Sequence, residues 1–484
     1  MKKSYPVKYY IFLYLLTLIF ASSCGVKESE KETSDQAEPE LEKINTLAEK
    51  PPMGWNSFDA YDCRINEEQF KAIVDVMANK LKPHGWEYAV VDYIWWHPEP
   101  GNWDTPRRKG HPNLRYNEDG SPMFPKYTTM DEFGRLMPAP ERFPSAAEGK
   151  GFKPIADYVH SKGLKFGIHI MRGIHRYAAY MDTPIKGTDY SAKDIAEPFD
   201  TCGWCNHMYG VDASKPGAQE YYDSLFELYA SWGVDYVKAD DMTGHTLHEG
   251  ELQLIRNAIE NCGRPIVLSL SPGETPIGKA NQIIESANLW RISADFWDNW
   301  ESLRHNFDLL NAWSPHAGSG HWPDADMIPL GKLSLDDRPH GPERMSNFTE
   351  PEHYTLMNLW SMAKSPLMIG SDLLTTPDSI LKFYQNDEVL YVNQESVGNW
   401  QITDGDESRI WIAYDPINYD VFLGLFNLMD VESEVSFDLE WANLRGTYTI
   451  RDLWKTQNIG ETKNTLQAKL PPHGSVLYRL MKDE

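Results

Sequence analysis

A chain of 484 residues exceeds one ordinary hydrophobic core, so its length predicts two domains behind a leader, with a barrel as the larger. Lys and Arg number 46 against 71 Asp and Glu, a formal charge of −25 that repels phosphate backbones and anionic lipid and argues against nucleic acid as a partner. Neutral glycans are not excluded, and 17 Trp, 25 Tyr and 18 Phe offer faces on which sugar C–H groups stack, although core packing accounts for most aromatics.

In chain order, Lys2 and Lys3 precede an apolar run from Tyr9 to Phe20 that is too short to cross a bilayer and has the form of a signal-peptide core. Ala21-Ser22-Ser23-Cys24-Gly25 then resembles a bacterial lipoprotein cleavage box, with Ala21 where a branched aliphatic is usual. The expectation is a leader over 1–24 and lipidation of Cys24, against ordinary cleavage nearby. That makes the protein an exported, membrane-anchored lipoprotein, periplasmic or on the cell surface, touching membrane through its lipid alone. Residues 25–50 are rich in Glu, Lys, Ser and Thr with almost no large apolar side chain, which predicts a flexible acidic tether.

After Pro51, short β-branched or aromatic runs alternate with amphipathic helical stretches, the pattern of a parallel sheet closed by crossover helices. Eight strands are predicted at Met53–Phe58, Trp86–Asp92, Lys165–Ile170, Tyr236–Asp240, Pro265–Ser271, Leu289–Asp295, Gly320–Met327 and Leu367–Asp372. The clearest helices are Glu67–Lys82, Ile155–Lys162, Gly217–Trp232, Leu252–Cys262 and Trp297–Leu310. The reading is α/β, a (β/α)₈ TIM barrel over 51–392. Such a barrel works at the C-terminal ends of its strands, where Asp92, His169, Asp240, Ser271, Asp295 and Asp372 fall. Any one of these suits a turn; six together point to a site. From 393 to 484 the texture becomes alternating strands without long helices, at Arg409–Tyr414, Val421–Asn427, Val435–Leu439, Thr447–Arg451 and Ser475–Leu480, which predicts an antiparallel β-sandwich for stability or glycan contact.

Paired carboxylates break glycosidic bonds, one protonating the leaving oxygen while the other attacks the anomeric carbon or activates water. Val237-Lys238-Ala239-Asp240-Asp241 ends one strand with Lys238 on the same side of the pleat as Asp240, where an ammonium keeps a nucleophilic carboxylate ionised. Trp290-Arg291-Ile292-Ser293-Ala294-Asp295 ends another strand two positions on, placing a second carboxylate across the mouth.

Pro52-Met53-Gly54-Trp55-Asn56-Ser57-Phe58 resembles the opening strand of glycoside hydrolase family 27, the α-galactosidase or melibiase family. Val91-Asp92 with Trp95 is similar to its second-strand substrate motif, Lys238 to Asp241 to its nucleophile strand, and Arg291 to Trp300 to its acid/base segment. Ser361 to Leu367 resembles its eighth-strand approach and Pro471-Pro472-His473-Gly474 its terminal sandwich, so the likeness spans Pro51 to Leu480. The resemblance implies a retaining double displacement without metal or organic cofactor, releasing terminal α-D-galactosyl residues from an oligosaccharide or glycan. By position, Asp240 becomes the nucleophile and Asp295 the acid/base. Asp92 and Lys238 would bond sugar hydroxyls, Arg291 would seat the sugar, and Phe58 would be its aromatic platform.

Departures from the family pattern bear on the sugar. Family α-galactosidases carry two adjacent aspartates at the second strand, whereas this chain has Asp92-Tyr93, and a Tyr fills the space of the C6 hydroxymethyl in a way that suits L-arabinopyranose. His169 stands where a tyrosine is common, and Ser271 where the family separates galactose from N-acetylgalactosamine. The alternatives are therefore a β-L-arabinopyranosidase or an α-N-acetylgalactosaminidase on the same scaffold, and further off a surface lipoprotein that binds glycans without cleaving them. Retention of Asp240 and Asp295 opposes the last. His207, His245, His248 and His321 follow no metal-binding spacing, and Cys63, Cys202, Cys205 and Cys262 give no four-ligand zinc site. Cys202-Gly203-Trp204-Cys205 reads as a structural segment, with a redox pair or local disulfide as the alternative. Asp324 and Asp326 read as structural supports.

Overall fold

A computed structural model describes residues 47–100, 128–205, 207–244, 246–335 and 341–482. The leader, Cys24, most of the tether and His245 lie outside the described residues.

Eight short parallel strands form the larger part: β1 (Met53–Asn56), β2 (Tyr88–Val91), β3 (Lys165–Met171), β4 (Tyr236–Asp240), β5 (Val267–Leu270), β6 (Leu289–Arg291), β7 (Trp322–Asp324) and β8 (Leu367–Ile369). They pair in the order β7-β6-β5-β4-β3-β2-β1-β8. Just beyond β7, the Ile328 N–H donates to Met368 O (2.7 Å) and the Ile328 carbonyl accepts from the Gly370 N–H (3.1 Å), which closes the sheet into a barrel. Helices cover the outside, so the strands are buried on both faces and read as apolar runs rather than alternating ones. Gly54 lets β1 approach β2 closely, since a Cβ there would lie 2.5 Å from Tyr88 O.

The main outer helices are α1 (Glu67–Val76), α2 (Lys153–Ser161), α3 (Ala218–Trp232), α4 (Glu249–Asn261), α5 (Trp300–Trp313) and α6 (Glu350–Met362). Their limits are written locally. Asn66 and Gln69 form a capping box at the start of α1, and α3 stops at Gly233, whose φ of 87° a Cβ would oppose. The expected helix Glu67–Lys82 is α-helical only to Val76 and then opens into a π turn over Met77–Leu81. Between β3 and α3 the chain makes a small three-stranded sheet from Ile174–His175, Ala196–Glu197 and Met208–Val211.

The C-terminal part is antiparallel: β9 (Val397–Thr403), β10 (Ser408–Tyr414), β11 (Val421–Asn427), β12 (Ser433–Asp438), β13 (Tyr448–Asp452), β14 (Gln457–Thr462), β15 (Thr465–Leu470) and β16 (Ser475–Lys482). Six of them pair as β9-β10-β11-β16-β13-β14, and β12 with β15 makes the second sheet. Ile410, Ile412, Leu423 and Leu425 pack with Phe437 and Leu466 inside this sandwich. The intervening Trp411, Ala413, Phe422 and Phe426 join the barrel core instead. Strands with period-two side chains thus serve two cores at once. Among the described residues no helix is long and apolar enough to cross a membrane.

Candidate active site

The ends of β1, β2, β4, β5 and β6 and the loops after them enclose a cavity of about 250 Å³ at the C-terminal mouth. Asp240 is the last residue of β4, and Lys238, two residues earlier, lines the same cavity, as the pleat requires. The Lys238 ammonium donates to Asp92 Oδ2 at 3.0 Å. That same oxygen accepts from Asn56 Nδ2 (2.6 Å), and Asp92 Oδ1 accepts the Tyr93 N–H (2.8 Å). Burial opposes the charge on Asp92, yet Lys238 first, then His169 and these hydrogen bonds, hold its carboxyl far below the usual carboxylate range. Burial likewise opposes the charge on Lys238, but Asp92, Asp240 and Asp326 raise its affinity for the proton.

Asp240 is held from two sides. His169 Nε2 donates to its Oδ2 at 3.0 Å, and the Asp241 N–H donates to its Oδ1 at 2.9 Å. Because the carboxylate can only accept, the histidine is protonated on Nε2. Burial alone would push the Asp240 carboxyl upward; the His169 hydrogen bond and charge, Lys238 and the Asp241 N–H outweigh it and hold it below its ordinary value. Asp240 is thereby favoured in its ionised form, the form in which a carboxylate can act as a nucleophile.

Asp295 lies four residues beyond the end of β6 and keeps 64% of its side chain exposed, at the rim of the cavity. Arg291, buried beneath it, donates through Nη2 to Asp326 Oδ2 (2.8 Å), and its contact with Asp295 Oδ1 is 3.3 Å. One carboxylate is thus buried and fixed while the other is open to solvent, and both face one space.

Phe58, Tyr93 and Ser271 also line the cavity. Tyr93 is only 3% exposed; its hydroxyl lies 3.2 Å from Cys205 Sγ, and its ring meets those of Trp96, His169 and Trp204 edge-on. Of the residues through which the sequence pointed to a site, Phe58, Asp92, Tyr93, Lys238, Asp240, Ser271, Arg291 and Asp295 converge on this cavity, and His169 and Asp372 do not. His169 is fully buried and is not part of the wall; it stands behind Asp240 and acts on the carboxylate. Asp372, also at a strand end, is bound by Tyr61 Oη (2.6 Å) and Thr375 Oγ1 (2.6 Å), away from the wall.

Several wall residues had no site role in the sequence reading: Asp59, Trp204, Phe296, Trp297, Asp326 and Met327. Asp59 sits in a short helix and the others on loops, where alternation carries no information; the signals in the sequence were that Asp59 follows Phe58 and that Phe296 and Trp297 follow Asp295. Asp326 is part of the wall rather than a distant support, whereas Asp324 stays behind it, accepting the Asp326 N–H at 2.9 Å, with burial pushing its carboxyl up to about 6. Cys63, Cys202, Cys205 and Cys262 are free thiols, and the Cys205 N–H points to Cys202 Sγ at 3.3 Å. The oxygens of Asp200 and Glu251 come close to a His248 nitrogen, but the Arg172 guanidinium sits among them and donates to both carboxylates.

Two carboxylates facing one cavity at a barrel mouth, one fixed and one open, make the arrangement that one class of enzymes, those cleaving glycosidic bonds, uses. Comparison with known proteins makes the class specific. A family model described as alpha galactosidase A matches residues 124–202 and 207–395, and one for the alpha galactosidase C-terminal beta sandwich domain matches 405–480. The chain is 45% identical to a GH27 β-L-arabinopyranosidase from Geobacillus stearothermophilus, with a TM-score of 0.83 over 90% of this chain and 98% of that one. It is 27% identical to an α-galactosidase of Oryza sativa subsp. japonica over 90% of this chain and 86% of that one. An α-N-acetylgalactosaminidase of Gallus gallus is 28% identical over 73% of this chain and 72% of its own. The chain belongs to glycoside hydrolase family 27, the α-galactosidase family.

Proposed function

We propose that the protein is a retaining, exo-acting hydrolase of terminal galacto-configured pyranosides, and that β-L-arabinopyranose suits its cavity better than α-D-galactose. The observation that carries the choice of sugar is Tyr93. Its buried ring forms wall where the family's α-galactosidases carry a second carboxylate, leaving Asp92 as the carboxylate at that place. The two sugars share their ring hydroxyl arrangement and differ by the C6 hydroxymethyl, so a bulky, pinned ring there favours the smaller one. The 45% identity to a β-L-arabinopyranosidase supports the same choice. Family membership and the α-galactosidase relatives support α-D-galactosides as the second reading.

In this mechanism Asp240 attacks the anomeric carbon and forms a glycosyl ester while Asp295 gives its proton to the departing oxygen. Asp295 then takes a proton from water, which displaces Asp240 with a second inversion, so configuration is retained. The exposure of Asp295 gives leaving group and water access to it. Asp92, held by Lys238, offers an ionised acceptor to sugar hydroxyls, and the exclusion of solvent around Asp240 strengthens each of these interactions.

A panel of aryl α-D-galactoside, β-L-arabinopyranoside and α-N-acetylgalactosaminide tests the reading. The arabinopyranoside is expected to have the highest kcat/KM, with first-formed product of retained configuration, and Asp240→Ala is expected to lower turnover by at least about 10⁴-fold. Preference for the galactoside would replace the choice of sugar by the second reading. An inverted first product or an active Asp240→Ala enzyme would refute the mechanism.

A further inference from the structure

Asp59 follows Phe58 in the short helix Phe58–Tyr61 and belongs to the cavity wall, yet it is 3% exposed and its Oδ2 has no hydrogen-bond partner. The other buried carboxyls of the wall are matched. Asp92 has Asn56 and Lys238, Asp240 has His169 and the Asp241 N–H, and Asp326 has Arg291 and the Phe296 N–H. Asp59 is also held in place. Its backbone carbonyl accepts the Ser334 N–H (2.9 Å), and Gly370 packs so close that a Cβ there would lie 2.0 Å from Oδ2. A buried polar atom without a partner is costly and calls for an explanation. On a cavity wall, the simplest one is a partner that arrives with the ligand.

We propose that Asp59 is a further substrate-contacting residue, its carboxyl sharing a hydrogen bond with a hydroxyl of the sugar ring seated between Phe58 and Asp240. This rests on the glycosidase reading above and adds a contact that the family resemblance did not supply. The surroundings also define the chemistry. Burial first, then the charge of Asp326, with Asp295 and Asp92 adding to it against Lys238, push the Asp59 carboxyl well above the usual range. It holds its proton under conditions in which Asp240 is ionised, so it can donate to a hydroxyl oxygen, and an amide of the same shape can take its place.

The test uses the full chain, the aryl glycoside that the wild type cleaves fastest, and monodeoxy analogues of that glycoside. Asp59→Ala is expected to lower kcat/KM by roughly 10-fold to 100-fold, and Asp59→Asn by no more than about 3-fold. For one deoxy analogue the Ala substitution should add no further loss, because the hydroxyl that Asp59 meets is already missing. Should the Ala variant not fold, Asp59→Leu, which keeps the volume without polar atoms, takes its place. Unchanged kcat/KM in the apolar variant overturns the proposal. So does a loss of equal size on the parent and every analogue, which would mark a purely structural role. A wild type inert toward all three aryl glycosides sinks the functional reading and this inference with it; an active wild type with unaffected variants sinks only this inference.

Discussion

At the scale of single residues, His169 shows how a side chain behind the cavity wall can set the charge state of a carboxylate on it. Its hydrogen bond lowers the Asp240 carboxyl, and loss of that bond lets burial push the carboxyl upward. Since the proposed mechanism needs the ionised form, the acid limb of the kcat/KM profile in His169→Phe should move to higher pH, whereas His169→Gln, which keeps a donor, should restore much of the wild-type limb. Superimposable profiles for wild type and both variants would show that the contact does not tune the nucleophile. The place of Asp240 was legible in the sequence because it closes an apolar strand, and that of Lys238 because strand side chains repeat every second residue; Asp295 was read as a strand end but lies on the loop four residues beyond β6. The role of His169 was not legible, since strand-end position does not tell which neighbour a ring meets. Nor was Asp59, whose significance is a missing partner that only three dimensions reveal.

At the scale of elements, Arg172 ties together pieces that local sequence leaves independent. It follows β3, is buried, and donates to Asp241 Oδ2 (2.8 Å) beyond β4, to Glu251 Oε1 (2.6 Å) in α4 and to Asp200 Oδ2 (2.8 Å) in the segment leading to Trp204. Asp241 holds a φ of 62°, a strained backbone directly after the proposed nucleophile. Arg172→Met leaves these carboxylates without their cation and should cost about 3 kcal/mol of stability. It should also lower kcat more than it raises KM, because the end of β4 loosens; Arg172→Lys, which cannot reach all three, should recover only part. Normal thermal stability and kcat in the Met variant would show that the clamp is idle. The eight barrel strands could be read from β-branched runs bounded by Gly and Pro, but β9, β14 and β15 escaped notice. Gln457–Thr462 lies largely exposed with almost no apolar alternation, and in Thr465–Leu470 the small Ala468 weakens it. The π turn after Val76 was equally hidden, because apolar spacing does not separate a four-residue from a five-residue hydrogen-bond step.

At the scale of the whole molecule, barrel and sandwich fall within one compact unit. Phe426 meets Phe307 of α5 edge-on with ring centroids 5.0 Å apart. His473 stacks on Trp300 at 3.8 Å, and its Nδ1 lies 2.7 Å from Glu352 of α6. Calorimetry of the full chain should therefore give one unfolding transition for the described parts, and a chain ending after Ser396 should fail to fold, because Trp360, Met362 and Phe307 would lose their covering. Two well-separated transitions, or a folded and active truncated chain, would contradict this coupling. The two-faced strands β10 and β11 have a consequence for engineering and descent alike. A terminal module whose alternate side chains are cut to fit a neighbour is a poor cassette: a sandwich transplanted from a relative brings its own Ile and Leu interior intact but presents the wrong relief to the host. Exchange should succeed only when the outward row, Trp411, Ala413, Phe422 and Phe426, is retained or re-matched along with it.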